Sequence, residues 1–537
     1  MTITIFTNGQ IYTMDQMFPL VQSVVVTNGR IIDMGTTPDM LLQWGRHDVK
    51  VIDLQERTVI PGLIESHVHI AGVAMNFLNL DVTGVQSKKE LLEKIKERAN
   101  SLQPGEWLLG RGWDENLFID SSIPSIEELD LVAPHCPLYI PRICGHAFLV
   151  NSKALEICHV HPNTAVPEGG TIVLDERTGK PTGLLLESAS ELIKKYIPEK
   201  SYSELKKAVH HAIKFAMEKG LTSVHTNDPA FLNGFYQTYQ IYDELINEEQ
   251  LGLRCNLLID YTYMKELRET GMYAGFGNDH LQIGAIKIFA DGALGRRTAL
   301  LSSPYHDDPS TVGDAMFDQE TLYSIIQEAR RLAMPIAVHT IGDQALENVL
   351  DILDQFPAVA YRDRIIHAQV LRKELIPRLK RPSRIVDIQP RFVVGDFPWV
   401  QDRLGESRTQ LSYAWKTLLS SGVICAGGSD APVEPIDPLL GIHAAVTRRA
   451  PGETHSGWNP TEKLSFDEAI KLFTIGGSYA TNEENSKGTI TRGKFADMTV
   501  LSKNIFEFKN PDEILSTEVV QTVIGGRVTY EKTGATY

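Results

Sequence analysis

Short apolar runs recur along the chain, and a helix-like segment follows most of them. This alternation is what a parallel β/α barrel requires, because each parallel strand needs a crossover back to the start of the next. The spacing therefore predicts an α/β fold with a (β/α)8 TIM-like barrel. The predicted strands lie in VIPGLIESHVH, GLTSVHT, LRCNLLID, QIGAIKIF, PIAVHT, RIIHAQ, RIVDIQP and GVICAGGSD.

The two ends of the chain have a different pattern. Residues 1–58 alternate short β-rich runs with Asn-Gly and Gly turns, and residues 481–537 repeat that pattern in GTITRGKFADMTVL and VVQTVIGGRVTYEKT. Such alternation is typical of β-hairpins. We expect both ends to form one small, discontinuous β-sandwich beside a barrel that occupies residues 59–480.

One connection is much longer than a barrel crossover. Roughly 150 residues separate the first predicted strand from GLTSVHT, where a crossover needs a few tens at most. The sequence therefore predicts an insertion over residues 76–205, with helical pieces and with loops in GRGWDENLF and VPEGGTIVLDERTGKPTG. Because it follows the end of the first strand, we expect it to act as a lid or a substrate-shaping subdomain.

The sharpest local signal is His67-Val68-His69, at the end of the first apolar run. Side chains two apart on a strand point to the same side, so both imidazoles can bind one metal ion. Two chance surface histidines would be the alternative interpretation. His339 and His367 each close a later run, about one β/α repeat apart, and neutral imidazoles at strand ends suit zinc or a similar metal.

Asp430 and Lys287 complete the predicted set. Asp430 ends GVICAGGSD, where a carboxylate can bind metal and accept a proton from water, although Asp also caps helices in such sequences. Lys287 interrupts the apolar run GAIKIFA. A buried neutral amine can add carbon dioxide and become an anionic ligand able to bridge two metals. Alternatively, the lysine head reaches solvent or pairs with Asp291.

The composition narrows the class of protein. Among 537 residues, 68 acidic side chains outnumber 52 basic ones, and a formal charge of -16 disfavours nucleic acid and anionic membranes as partners. Five cysteines without a CxxC pair indicate a reducing compartment. Neither a signal-peptide pattern nor an apolar run of about 18 residues occurs, so we expect a cytoplasmic enzyme. A homodimer is a possible oligomeric state, as it is for many large barrel enzymes.

The pattern of these six residues resembles the amidohydrolase superfamily, which has His-x-His on the first strand, a lysine on the fourth, histidines on the fifth and sixth, and Asp on the eighth. The similarity is closest to the amidohydrolase-3 branch, which contains N-substituted formamide deformylase. It extends over nearly the whole chain, in GRGWDENLF, RICGHAFLVNSKAL, IKIFADGALGRRTALLSSPY, HTIGDQAL and GTITRGKFADMTVL.

The resemblance implies a metal centre with one or two divalent ions, most simply zinc. It implies that His67, His69 and Asp430 bind one ion and that N6-carboxylated Lys287 lies between the two. It assigns the second ion to His339 and His367. The branch also suggests that side chains elsewhere shape the pocket for a small amide-like substrate, although turn and helix-cap duties explain them equally well: Trp113, His146, Asn151 and Asp291.

These residues predict hydrolysis of a non-peptide carbon–nitrogen bond, an amide or formamide. A metal lowers the pKa of water to supply hydroxide at neutral pH, and Asp430 acts as the general base. The same chemistry would cleave an ester or another acyl bond. An inactive binding protein on this fold is a weaker alternative, since it has no need for six ligands. A phosphate-binding barrel is weaker still, because Asp430 would repel phosphate.

Overall fold

A computed structural model describes residues 3–46, 48–119 and 122–533 of the chain. The divisions predicted from the sequence include residues 1, 2, 47, 120, 121 and 534–537, which lie outside the described residues. The described part separates into two compact units, one formed by Met1–Gly72 with Ala212–Tyr537 and the other by Val73–His211.

The first unit contains the predicted barrel. Among the described residues, eight strands form one sheet in chain order, and every neighbouring pair is parallel. The predicted α/β barrel is therefore confirmed, and each predicted apolar run contributes one strand. Barrel strands 1 to 8 are Leu63–Val68, Leu221–Thr226, Arg254–Asp260, Leu281–Phe289, Ile336–Thr340, Asp363–His367, Arg384–Ile388 and Cys425–Gly427.

Helices of this unit cover the strands with an apolar stripe. Gln319–Arg331 is an example, because it buries Leu322, Ile325, Ile326 and Ala329 at helical spacing. Asp318 caps its first turn by accepting from Thr321 N at 2.7 Å. Two helices, Ile70–Leu78 and Tyr202–Glu218, belong partly to this unit and partly to the other. The remaining helices of this unit among the described residues are Thr37–Trp44, Phe235–Asp243, Met264–Thr270, Gln319–Arg331, Asp343–Leu353, Ile376–Leu379, Phe392–Asp396, Trp399–Thr409, Trp415–Ser420, Pro438–Thr447, Phe466–Lys471 and Gly477–Ala480.

The two ends of the chain form the predicted discontinuous sandwich. One sheet contains the N-terminal strands Ile3–Thr7, Ser23–Thr27, Arg30–Gly35 and Val49–Asp53. In the other sheet, Thr58–Pro61 pairs antiparallel with Met498–Leu501, which joins the ends directly. Apolar side chains of both ends, such as Phe6, Val24 and Val500, share one core. The remaining strands of this second sheet are Gln10–Tyr12, Leu20–Val21, Val519–Ile524 and Arg527–Glu531.

The second unit contains a sheet that the sequence did not reveal. Its strands are Leu80–Asp81, Leu108–Arg111, Leu138–Pro141, Ala147–Val150, Thr171–Leu174 and Pro181–Leu186, with helices Lys88–Asn100, Ile126–Val132, Ser152–Ile157 and Glu191–Lys194. The prediction of loops in GRGWDENLF and VPEGGTIVLDERTGKPTG is therefore wrong in part, because both segments contribute strands. In VPEGGTIVLDERTGKPTG, Thr171–Leu174 pairs with Pro181–Leu186 as a hairpin, and Pro181–Leu186 also pairs with Ala147–Val150. The local Gly and Pro signals therefore marked the turns beside strands, and the strands between them were overlooked.

No helix within the described parts of the chain is both long enough and apolar enough to cross a membrane. The predicted boundaries at residues 58, 76, 205 and 480, and the lid role of the insertion, stay predictions.

Candidate metal centre

The six predicted ligands all lie in the first unit, on barrel strands or directly after them. Parallel strands share one C-terminal edge, and residues at that edge of a barrel face a common mouth. His67 lies in the first strand, Lys287 in the fourth, His339 in the fifth and His367 at the end of the sixth. His69 and Asp430 follow the first and eighth strands.

Asp430 lies at the centre of this group. Its Oδ1 is 3.4 Å from Nε2 of His67 and 3.4 Å from Nε2 of His69. Lys287 donates from Nζ to His67 Nε2 over 3.2 Å. One ligand atom each of His67, His367 and Asp430 lies within 4.8 Å of the others. These donor atoms face one small volume at the mouth.

His339 and His367 form a second pair beside it. Their ring centroids are 4.5 Å apart, and the His367 ring is also 5.9 Å from that of His67. His339 donates from Nε2 to the carbonyl of Gly292 at 3.0 Å, and His367 donates from Nδ1 to Gln389 Oε1 at 2.7 Å. Each ring therefore keeps its other nitrogen available as a metal ligand.

His69 is oriented by the loop after the second strand. Its Nδ1 donates to the carbonyl of Asn227 at 2.5 Å, which leaves Nε2 facing Asp430. Asp228 supports the loop by accepting from Ala71 N at 2.9 Å and from the Tyr242 hydroxyl at 2.5 Å. This support was not predicted from the sequence, although the polar residues directly after GLTSVHT were a usable signal.

Glu65 connects the first strand to the eighth. This buried carboxyl accepts from His67 N at 3.1 Å and from Ser429 N at 2.9 Å, so it ties the backbone of two predicted ligand segments together. Gly428 permits the approach, because a Cβ there would lie 2.5 Å from Glu65 Oε1. Asp430 N donates to the carbonyl of His67 at 2.8 Å and completes the closure. A glutamate inside VIPGLIESHVH was the overlooked signal.

Two ligands have a backbone conformation that is rare for residues with a side chain. His367 has φ of 76° and Asp430 has φ of 57°, both in the left-handed region. Such residues persist where their surroundings hold them, and they are concentrated at functional sites. The hydrogen bonds of Asp430 N to the first strand and of His367 Nδ1 to Gln389 supply that hold.

A buried ion pair lies in the same barrel interior. Arg364 donates from Nε to Asp387 at 2.8 Å and from its terminal nitrogen to the carbonyl of Ser66, the residue before His67. Both charged side chains are almost fully buried. This ion pair was not predicted from the sequence either, although the apolar runs RIIHAQ and RIVDIQP contain charged residues.

Burial sets the protonation of the site. It lowers the pKa of Lys287 to about 8, although the charges of Asp430 and Asp260 act in the opposite direction. It also lowers the pKa of His367 to about 4, and it holds the pKa values of His67 and His339 well below their ordinary range. These imidazoles are neutral at physiological pH, which is the form that binds metal.

The pKa values of Asp430 and His69 are shifted in the directions expected for an ion pair. Burial acts to raise the pKa of Asp430, but the hydrogen bond from His69 and the neighbouring positive charges lower it overall. Burial acts to lower the pKa of His69, but the hydrogen bond and charge of Asp430 raise it overall. Asp430 is therefore an anion, and because the pKa of His69 is raised, metal binding there competes with protonation and weakens as the pH falls.

The four predicted substrate residues have local partners. Trp113 is buried and donates to the carbonyl of Ile140 at 2.9 Å. Asn151 caps the helix Ser152–Ile157 and is buried. The exposed His146 pairs with Glu187 at 2.8 Å.

These three residues belong to the second unit, whereas Asp291 lies in the first. Asp291 is buried and accepts from the backbone amides of Leu300, Ile341 and Gly342. Its carboxylate also lies 3.6 Å from Nε2 of His339. Its observed contacts therefore order the loop around a predicted ligand, and the substrate roles of all four residues stay predictions.

The residues present fit a divalent metal ion. Neutral imidazole nitrogens and an ionised carboxylate converge at Asp430, and this combination of nitrogen and oxygen donors is typical of zinc and related ions. Three of the four predicted histidine ligands, His69, His339 and His367, also have the outer hydrogen bonds that fix their tautomers.

Comparison with known proteins agrees with this geometry. The sequence profile of the amidohydrolase family (Amidohydro_3) matches residues 50–530. A putative amidohydrolase, YtcJ of Bacillus subtilis (strain 168), is 41% identical over 98% of this chain and 99% of its own length. N-substituted formamide deformylase of Arthrobacter pascens is 26% identical over 98% of both chains.

A solved structure shows the same fold. It is an uncharacterized metal-dependent hydrolase from Pyrococcus furiosus, with a TM-score of 0.76 and 29% sequence identity over 94% of this chain and 99% of that one. Family, relatives and fold agree with the resemblance that the sequence motifs indicated. The chain belongs to the amidohydrolase family and is a hydrolase of the metal-dependent type.

Proposed function

We propose that this protein hydrolyses a non-peptide carbon–nitrogen bond of a small amide or formamide, with Asp430 as the general base. The observation that carries the proposal is the convergence of His67, His367 and Asp430 ligand atoms within 4.8 Å, with Lys287 Nζ 3.2 Å from His67. The relative named N-substituted formamide deformylase supports the bond type.

The side chains have separate duties in this reaction. His67, His69 and Asp430 would hold one divalent ion, and His339 and His367 would hold a second if two are bound. A bound ion supplies Lewis acidity, which polarises a carbonyl group and lowers the pKa of water. Asp430, an anion in this site, accepts the proton of the attacking water and returns it to the departing amine.

Lys287 acts as a ligand after modification. Its pKa of about 8 makes a substantial fraction of the amine neutral near physiological pH, whereas an ordinary lysine is almost entirely protonated. The neutral amine attacks carbon dioxide, and the resulting carbamate releases one proton. The carbamate would offer anionic oxygen ligands to a metal ion, which the unmodified ammonium would repel.

The proposal is tested with purified protein loaded with zinc and a panel of N-formyl and N-acyl amines, matched by esters of the same acyl groups. Release of primary amine is the readout. Asp430→Asn should abolish turnover while the circular dichroism spectrum stays native, and Asp402→Asn, at an exposed position, should retain it. Hydrolysis of the esters alone would refute the assigned bond, and full activity in Asp430→Asn would remove it as the base.

A further inference from the structure

Phenylalanine rings surround the candidate metal centre. Phe289 is the last residue of the fourth barrel strand, two residues after Lys287. Because strand side chains alternate, both point to the same face, and the Phe289 ring lies one step closer to the mouth. Its centroid is 4.6 Å from Lys287 Nζ and 5.4 Å from the His339 ring. Lys287 is fully buried, whereas Phe289 is only partly buried.

Two other rings have equivalent positions. Phe392, after the seventh strand, stacks on His367 with centroids 5.6 Å apart and an interplanar angle of 17°. Phe231, after the second strand, packs against His69 at 5.7 Å and is 37% exposed. Three separate strands or loops thus each place an incompletely covered ring against a predicted metal ligand.

Several charged side chains close in sequence to these rings have partners within the protein. Asp291, two residues after Phe289, accepts from three backbone amides, and Asp228, three residues before Phe231, accepts from the Tyr242 hydroxyl. Arg391, directly before Phe392, donates from Nε to Glu434 at 2.9 Å, and both are mostly buried. Neither charge is free to bind a substrate carboxylate or ammonium group. The three rings therefore present apolar surface beside the ligands, and covering it with an apolar group removes hydrocarbon from water.

We infer that the substrate carries an uncharged apolar substituent, alkyl or aryl, next to the scissile bond, and that this substituent packs against Phe289, Phe392 and Phe231. The inference rests on the proposed function, because it assumes that the scissile bond lies at the metal centre. It names the class of substrate: amides with a hydrophobic substituent, in preference to small or charged ones.

Hydroxamates test this by binding, without turnover. Calorimetry on the zinc-loaded protein would compare acetohydroxamate with phenylacetohydroxamate and with the charged succinic monohydroxamate. Burying one ring should tighten binding about 10- to 100-fold over acetohydroxamate, and the charged compound should gain nothing. The ratio of the acetohydroxamate to the phenylacetohydroxamate dissociation constant is the readout.

Ring variants locate the effect. Phe392→Ala and Phe289→Ala should each lower the ratio by about 3-fold or more, whereas Phe289→Leu, which stays apolar, should keep most of it. Phe231→Ala, on a more exposed ring, gives an independent measure if Phe289→Ala folds poorly. The matched control is Phe356→Ala, another partly buried ring that packs on Tyr323, away from the ligands, and it should keep the wild-type ratio.

The binding results distinguish a failure of this inference from a failure of the proposed function on which it rests. If both uncharged hydroxamates bind with dissociation constants within about twofold, or if all ring variants keep the wild-type ratio, the inference is wrong and the metal-hydrolase proposal stands. If neither compound binds to the zinc-loaded protein, the metal centre itself is refuted, and the inference falls with it.

Discussion

Glu65 should make the stability of the metal-free protein depend on pH in an unusual direction. Burial raises the pKa of this carboxyl from 4.5 to about 8, against the opposing hydrogen bonds from Ser429 and His67. The folded protein therefore binds the proton more tightly than the unfolded chain does. Ionisation of Glu65 therefore has no effect on the free energy of unfolding below pH 4.5, and it lowers that free energy increasingly as the pH rises toward about 8.

The structure sets the size of this effect. The gap between 4.5 and about 8, at about 1.36 kcal/mol per pKa unit, corresponds to at most about 5 kcal/mol of stability lost above pH 8. Glu65→Gln keeps an acceptor oxygen for the two backbone amides but removes the titration. Between about pH 5 and pH 8, the free energy of unfolding of the wild type should therefore fall by about 2 to 5 kcal/mol more than that of Glu65→Gln.

Urea denaturation in the presence of a chelator, followed by circular dichroism at several pH values, measures this difference. Glu97→Gln, which removes an exposed carboxyl on the helix Lys88–Asn100, is the control and should parallel the wild type. Parallel curves for the wild type and Glu65→Gln across the whole range would show that Glu65 ionises without penalty, and the reasoning from burial would be refuted.

Three further predictions concern the site and its support. Lys287→Met should lower bound zinc in elemental analysis, and native mass spectrometry should show the mass of one carbon dioxide in the wild type but not in the variant. Tyr242→Phe removes a hydrogen bond to buried Asp228 and should cost about 1 to 3 kcal/mol in urea denaturation; an unchanged midpoint would contradict that. Arg364→Met leaves Asp387 as an unpaired buried charge and should lower the free energy of unfolding by about 3 to 5 kcal/mol. Adding Asp387→Leu removes that charge and should restore part of the lost stability; a double variant no more stable than Arg364→Met would show that the unpaired charge is not the cause.

The barrel and the ligand set were predictable because they follow a repeating rule. The four histidines and Asp430 each end or follow an apolar run, whereas Lys287 lies within one. A barrel brings the ends of its strands to one edge, so His67 and His367 could be placed together although they are distant in sequence. The roles of the ligands stay predictions until metal is measured. The linear sequence shows which strand ends meet, and the structure adds which atoms meet there.

The missed features depend on pairing between distant segments. Glu65 acts on Ser429 through backbone amides, and Arg364 bonds to Ser66 and Asp387, so no local pattern announces either contact. The sheet of the second unit was missed because its strands are short and the glycines and prolines around them indicated loops. Its hairpins are joined by longer-range pairings, such as that of Ala147–Val150 with Pro181–Leu186, which no local pattern indicates.

The outer contacts of the histidines have a consequence for how this site can change. His69 and His339 are oriented by the carbonyl groups of Asn227 and Gly292, and a main-chain oxygen is present whatever side chain the position carries. Mutation alone cannot delete these acceptors; only a different loop path can remove them. Loops around the mouth can therefore diversify their side chains, and the substrates they admit, while the catalytic centre is inherited intact.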